Sequence, residues 1–244
     1  MDNPPRLPRL VTPREIYLKC DGKYYGRLGC SLVFKESQNI IYWDFFDRES
    51  YKNYLYCFSR LVEIGYIIKS VTSDKHGSLI GAIKTMFPDI PHQYCLVHIQ
   101  RSCQTLLTKR PETEAGRRLL DLVRNINKIK TDYEKQIFLK WVERYEKRYG
   151  DMLKQRSYDE ESNKRNWWYT HKNLRLAFNT IKSSLNNMFF YLDDCNIPKD
   201  TNGLEAEFTH LKTKLNMHRG LSRNRKANYV YWYWFLKSIY PNHH

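Results

Sequence analysis

The order of strand-like and helix-like segments in residues 15–100 constrains the fold more than any other feature. Three consecutive segments are rich in β-branched and aromatic residues and are separated by turn signals, a pattern typical of antiparallel strands. These segments are EIYLKCDGKYY, RLGCSLVFKE and NIIYWDFFD. A helical pattern over 50–66 that ends at Gly65 follows, and then strand, helix, strand and helix alternate, which predicts two parallel strands. We therefore predict an α/β fold with a five-stranded mixed sheet and flanking helices.

Residues 101–200 have a different pattern, with long amphipathic helical stretches and few strand signals. We interpret them as a helical insertion. The core is predicted to comprise 15–100 and 201–244, where Thr201 is a candidate N-cap for a final helix. Residues 1–14 are rich in proline and are predicted to form an extended linker.

Composition narrows the class of protein. The chain has 244 residues, of which 41% are hydrophobic, and no apolar stretch approaches the ~18 residues of a membrane span. With no apolar signal segment and six cysteines that form no C-x-x-C pair, we expect a soluble intracellular protein with reduced thiols. The 41 Lys and Arg against 26 Asp and Glu give a net charge of +15, which favours a polyanionic partner, most commonly nucleic acid.

Three acidic residues occupy positions that this fold would bring together. Asp21 lies in or at the end of the first strand, Asp74 follows the fourth strand, and Glu205 lies one turn into the helix after the insertion. In the predicted sheet the first and fourth strands are neighbours, and the returning helix could bring Glu205 to the same edge. Two alternatives stand beside this interpretation: Asp21 could be only a turn residue, because Asp-Gly is a hairpin signal, and Glu207 competes with Glu205. Residues two apart on a helix point about 200° apart, so one of these two glutamates can face the site.

Converging carboxylates repel one another unless a cation lies between them. Their hard oxygen ligands favour Mg²⁺ or Mn²⁺, and a pair of such ions roughly 4 Å apart is the usual arrangement for in-line displacement at phosphorus. The sequence therefore predicts Mg²⁺ or Mn²⁺, with two ions, bound by Asp21, Asp74 and Glu205.

Three segments carry a family resemblance: YLKCDGKYYG, VTSDKHGSLIGAIKTMFPDIPHQYCLVHIQRS and TNGLEAEFTHLKTK. In this order they resemble DDE transposases of the Mutator (MULE-like) superfamily and related bacterial insertion-sequence transposases. The resemblance implies a ribonuclease H-like catalytic core with a helical insertion before the last acid, and a catalytic, metal-binding triad of Asp21, Asp74 and Glu205. The family's Cys-x-x-His element corresponds to Cys95 and His98.

Cys95 and His98, with His92 nearby, could suggest zinc. No second pair of ligands completes a four-ligand set, so we predict that Cys95 and His98 support the acidic site as neighbours of the metal ligands. The basic residues that follow Glu205 are predicted to contact DNA phosphates, with a solvated helix face as the alternative; they are Lys212, Lys214, Arg219, Arg223, Arg225 and Lys226. Trp167 and Trp168 could stack on unpaired bases, although core packing is favoured.

We therefore predict a DNA transposase catalytic core that hydrolyses a phosphodiester at an element end and joins the freed 3′-hydroxyl to target DNA. The expected partners are double-stranded DNA, at the element ends and the target, and further copies of the chain on that DNA, with no membrane. The expected location is the cytoplasm, in association with the nucleoid, or the nucleus in a eukaryote. The alternative is a truncated or decayed protein that binds nucleic acid without catalysis.

Overall fold

The computed structural model describes residue 10 and residues 12–159, 166–218 and 220–240. Most of the predicted linker 1–14, namely residues 1–9 and 11, lies outside this part of the chain. The chain divides into two compact units. The first comprises Met1–Cys95 and Asp194–His244, and the second comprises Leu96–Asp193.

The first unit contains the mixed sheet that the strand and helix patterns predicted. Its strands are β1 (Arg14–Tyr24), β2 (Cys30–Glu36), β3 (Asn39–Phe46), β4 (Tyr66–Ser73) and β5 (His92–Tyr94). Their order in the sheet is β3-β2-β1-β4-β5, with antiparallel pairing among the first three and parallel pairing of β4 with β1 and β5. With helices flanking the sheet, this confirms the α/β fold and is consistent with a ribonuclease H-like fold.

Alternating side chains of the sheet build a separate core on each face. One face packs against α1 (Tyr51–Ile64) and α2 (Gly77–Met86) through residues such as Leu18 and Phe34. The other face packs against α8 (Asn202–Met217) and α9 (Arg223–Ile239) through residues such as Val33 and Trp43. Successive side chains of a strand point to opposite faces, so β1 places Lys19 and Asp21 on the α8 side and Leu18 and Cys20 on the α1 side.

Helix α1 shows how local sequence fixes the element boundaries. Ser50 caps its start, because the Ser50 side chain accepts a hydrogen bond from the Asn53 backbone N–H at 3.3 Å. Gly65 ends it with φ of +114°, a left-handed conformation that glycine adopts without a steric penalty.

The second unit is mainly helical and has its own core. Its helices are α3 (Leu96–Leu107), α4 (Glu114–Asn125), α5 (Asp132–Lys154), α6 (Lys172–Lys182) and α7 (Phe190–Asp193). Leu119, Val123, Phe138, Phe178 and Ile181 are among its buried side chains. It also contains a two-stranded antiparallel sheet, β6 (Arg156–Tyr158) and β7 (Trp167–Tyr169), which the sequence patterns did not predict. Trp167 and Trp168 lie on this hairpin and are 43% and 51% exposed, so the core-packing interpretation of these residues was wrong.

A helix that crosses a membrane must be both long and largely apolar. Within the described residues, no helix combines enough length with enough apolar character to do so.

Candidate active site

Asp21 and Asp74 lie at corresponding positions of two neighbouring parallel strands. The register of β1 and β4 pairs Lys19 with Thr72, and each aspartate lies two residues beyond that pair. Asp21 is inside β1, which continues through Gly22 to Tyr24, so the alternative that Asp21 is a turn residue was wrong. Asp74 is the first residue after β4, where the chain leaves the sheet. The topology therefore brings the two aspartates to the same edge of the sheet.

Backbone amides orient both carboxylates. The Gly22 N–H donates to Asp21 Oδ1 at 2.8 Å, and the His76 N–H donates to Asp74 Oδ1 at 3.2 Å. Asp21 is buried and Asp74 is half-buried. Each side chain is thus held by its own loop or strand, which lowers the entropic cost of keeping two like charges in a fixed arrangement.

The negative charge at this edge of the sheet affects the pKa of the Cys20 thiol. Burial raises the pKa of Cys20 well above its ordinary value, and the negative charges of Asp21, Asp74 and Glu49 raise the pKa further. Three carboxylates from three separate segments therefore act on one buried position.

Glu205 lies in the first turn of α8, whose start is tied to the same edge. The Thr201 backbone N–H and hydroxyl both donate to Cys95 Sγ at 3.4 Å, and the Cys95 N–H donates to the Ser73 carbonyl at 2.7 Å. Ser73 immediately precedes Asp74. Glu205 follows Thr201 by four residues, so it lies within the first turn after this tethered N-cap.

Glu207, the competing glutamate, faces a different element. Its Oε2 accepts a hydrogen bond from the Tyr233 hydroxyl at 3.1 Å and forms an ion pair with Lys237 Nζ at 3.4 Å. Both partners are on α9. The two glutamates of α8 therefore lie in different environments.

A metal ion would need several side-chain ligands grouped around one point. Within the described ranges of the chain, no group of three or more His, Cys, Asp or Glu side chains is arranged to hold a metal ion. The structure brings Asp21 and Asp74 to one sheet edge and ties the start of the Glu205 helix to that edge through Cys95.

The Cys-x-x-His element is divided between the two units. Cys95 is almost fully buried and accepts the two hydrogen bonds from Thr201 described above. His98 is half-buried on α3 in the helical unit. His92, the other residue considered for zinc, is buried in β5, where its Nε2 lies 2.8 Å from Ser73 Oγ.

Glu49 was not singled out from the sequence, yet it lies at this edge. Its Oε1 accepts a hydrogen bond from the Tyr54 hydroxyl at 2.5 Å and lies 3.1 Å from His76 Nδ1. A Cβ at Gly22 would lie 3.0 Å from the Glu49 carboxylate carbon. The available signal was the glycine after Asp21, because a glycine within a strand often marks a close approach by another group.

The predicted DNA-binding residues are only partly clustered. Lys212, Arg223 and Lys226 line a hollow of about 610 Å³ together with Arg27. Lys214 and Arg225 do not line it; Lys214 is half-buried and Arg225 is exposed. Arg219 lies outside the described residues.

The sequence was compared with known families and with curated proteins. The family model described as Transposase IS66 family matches residues 81–218, which is more than half of the chain. The matched region includes Cys95, His98 and Glu205 and begins after Asp21 and Asp74. No curated protein matches the sequence.

Proposed function

The chain belongs to the transposase IS66 family, a family of DDE-type insertion-sequence transposases, and from this membership we propose that it is a DNA transposase catalytic core. The proposed reaction is metal-dependent hydrolysis of a phosphodiester at an element end, followed by attack of the freed 3′-hydroxyl on target DNA. The observation that carries this proposal is the parallel register of β1 and β4, which puts Asp21 and Asp74 at one edge of a ribonuclease H-like sheet. The order of the motifs also supports a relationship to the Mutator superfamily.

In this proposal Asp21, Asp74 and Glu205 supply the carboxylate oxygens that hold Mg²⁺ or Mn²⁺. Carboxylate oxygens are the ligands that these hard cations prefer, and neighbouring carboxylates need a counter-charge, which supports this choice of metal. Two bound ions would activate the attacking water or hydroxyl and stabilise the leaving oxygen. The protein's own contribution is positioning: the Gly22 and His76 amides hold the aspartates, and the Thr201–Cys95 contacts hold the start of the Glu205 helix.

The charge distribution supports duplex DNA as the partner. The chain has a net charge of +15 despite the acidic residues at the edge of the sheet. Four basic side chains line one hollow: Arg27, Lys212, Arg223 and Lys226. Lysine and arginine side chains that neutralise phosphates provide most of the sequence-independent affinity for DNA. We include in the proposal that several copies of the chain assemble on the DNA, as the family resemblance implies.

A nicking assay tests the catalytic proposal. A supercoiled plasmid that carries the DNA flanking the reading frame is incubated with Mg²⁺ or Mn²⁺ and with wild type or Asp74→Asn. We expect the variant to fall to the level of the protein-free control. Asp89→Asn, in the exposed turn before β5, serves as the matched control and should retain wild-type nicking.

Equal nicking by wild type and Asp74→Asn would contradict the catalytic assignment. DNA binding without metal-dependent nicking by the wild type would favour the second candidate, a non-catalytic nucleic-acid-binding protein. The clustered basic residues in the first unit are the observation that favours this candidate.

A further inference from the structure

We propose that the helical unit has its own DNA-binding surface, a groove between α4 and α5 that binds the phosphate backbone of duplex DNA. We refer to it as the basic groove. Its volume is about 720 Å³, and its basic lining residues are Arg118, Arg124, Lys128, Arg144 and Arg148. The inference rests on the proposed transposase function, because that function supplies DNA as the partner.

The charge of the basic groove is strongly one-sided. Five positive side chains line it against one acidic side chain, Asp121. Glu114, in the first turn of α4, lies close enough to pair with Arg118 and Arg148. Even with both acids counted, positive charge is in excess along the groove, which favours a polyanion.

The existing ion pairs leave these arginines available to phosphate. Arg118 and Arg148 lie 3.7 and 3.4 Å from Glu114, and Arg124 lies 3.8 Å from Asp121. All of these side chains are at least half exposed, and exposed pairs contribute only about 0–1 kcal/mol. A phosphate group can therefore replace such a carboxylate at little cost. Within the described part of the chain, the Lys128 and Arg144 side chains make no ion pair or hydrogen bond.

The spacing of residues along α5 makes the basic groove an elongated surface that can contact several phosphates. On α5, Arg144 and Tyr145 lie three and four residues after Trp141, and Arg148 lies four and three residues after them, which keeps all four side chains on one side of the helix. From Trp141 to Arg148 this stripe extends for about 10 Å, since each helical residue rises 1.5 Å. Duplex DNA carries one negative charge per ~1.7 Å of its axis, so a surface of this length faces several phosphates.

A buried hydrogen bond joins the two walls of the basic groove. The Tyr145 hydroxyl donates to the Ala115 carbonyl at 3.1 Å, which joins α5 to α4. Tyr145 also packs against Tyr149 with ring centroids 4.9 Å apart. Trp141 remains 46% exposed among the basic residues and offers a flat apolar surface to the sugar edge. Because the Tyr145–Ala115 hydrogen bond already joins the two helices, we expect little ordering of the groove when DNA binds.

The test is the salt dependence of binding to a 30-base-pair duplex, measured with the full chain. The double variant Arg144→Gln with Arg148→Gln removes two exposed charges. Since each phosphate contact contributes about 0.9 to the log–log slope, we expect the slope to fall by about 1.8 and the affinity at 0.1 M salt to drop ~60-fold. Lys109→Gln with Arg110→Gln removes the same charge from the exposed segment before α4 and should change the slope little.

Replacing Arg144 and Arg148 with lysine keeps both charges and should retain the wild-type slope. The outcomes separate the two proposals. If wild type binds duplex DNA and the glutamine variant has the same slope, or if the control weakens binding equally, the basic groove is not the contact surface. If wild type does not bind duplex DNA at all, the proposed transposase function itself fails.

Discussion

The buried imidazole of His92 predicts that acid destabilises the first unit. His92 is 7% exposed in β5, and burial, with a further contribution from the positive charge of Lys84, lowers its pKa from 6.5 to about 4. The unfolded chain therefore binds this proton between pH 6.5 and 4, whereas the folded chain does not. The contribution of neutral His92 to the free energy of unfolding is therefore fully present above pH 6.5. It decreases as the pH falls and reaches its lower limit below the folded pKa. The full loss is about 3 kcal/mol, because one pKa unit corresponds to 1.36 kcal/mol, and about 2 kcal/mol is lost by pH 5.

Urea denaturation at pH 7.5 and pH 5 measures this effect. Other groups also titrate in this range, so the quantity to compare is the change in unfolding free energy for wild type against His92→Gln. The variant loses stability at both pH values, because the Ser73 contact is altered, but its pH-dependent change should be smaller by about 2 kcal/mol. His218→Gln, at the exposed end of α8, is the control. An identical pH dependence in wild type and His92→Gln would refute the argument.

Three further substitutions test local contacts and packing in the two units. Thr201→Val removes the hydroxyl that donates to Cys95 while keeping the side-chain shape, so we expect thermal unfolding to show a loss of about 1 kcal/mol and nicking to slow. Gly65→Ala forces a Cβ into a backbone with φ of +114°, and chemical denaturation should show a cost of about 1–2 kcal/mol with nicking unchanged. Leu119→Ala leaves a cavity in the fully buried core of the helical unit and should cost about 3 kcal/mol in the same assay. If any of these variants is as stable as wild type, the structural role assigned to that residue is wrong.

The sheet could be predicted because its burial pattern is local. Ile16, Leu18 and Cys20 are fully buried and alternate with more exposed side chains, so the sequence itself shows the two-residue period of β1. The end of α1 at Gly65 was predicted for the same reason, because one residue determines the cap. Neighbouring strands then followed from the rule that strand-helix-strand units are parallel.

Features that depend on distant contacts could not be predicted. Glu49 lies 27 residues from Gly22 in the chain and 25 from Asp74, and no pattern in its own part of the sequence marks it. Gly22 signals that some group approaches the strand closely, but it does not say which one. The β6–β7 hairpin has strands of only three residues, too short for a period of two to be visible. Trp168 is exposed because it lies on that hairpin. The sequence alone could not show this, since an aromatic residue gives the same signal whether it is buried or exposed.

Substitutions of the two glutamates of α8 distinguish an effect on protein stability from an effect on nicking activity. Glu207 forms an ion pair with the buried Lys237. It also acts on Lys35, another buried lysine: burial lowers the pKa of Lys35 below its ordinary value, and the negative charge of Glu207 partly offsets that decrease. Glu207→Gln would leave the Lys237 ammonium without this counter-charge, and breaking a buried ion pair typically costs about 3–5 kcal/mol. Glu205 lies two residues away, about 200° around the helix from Glu207. Glu205→Gln therefore removes one of the proposed ligands without touching the Glu207–Lys237 pair.

We therefore expect opposite results from the same chemical change at positions two residues apart. Glu207→Gln should lower the melting temperature and, at a temperature where it remains folded, retain nicking. Glu205→Gln should abolish nicking with little change in the melting temperature measured without metal. Added Mg²⁺ should raise the melting temperature of Glu207→Gln but not that of Glu205→Gln, because binding to the folded state alone stabilises it. If Glu205→Gln nicks DNA at the wild-type rate, or if both variants respond to Mg²⁺ equally, Glu205 is not a ligand.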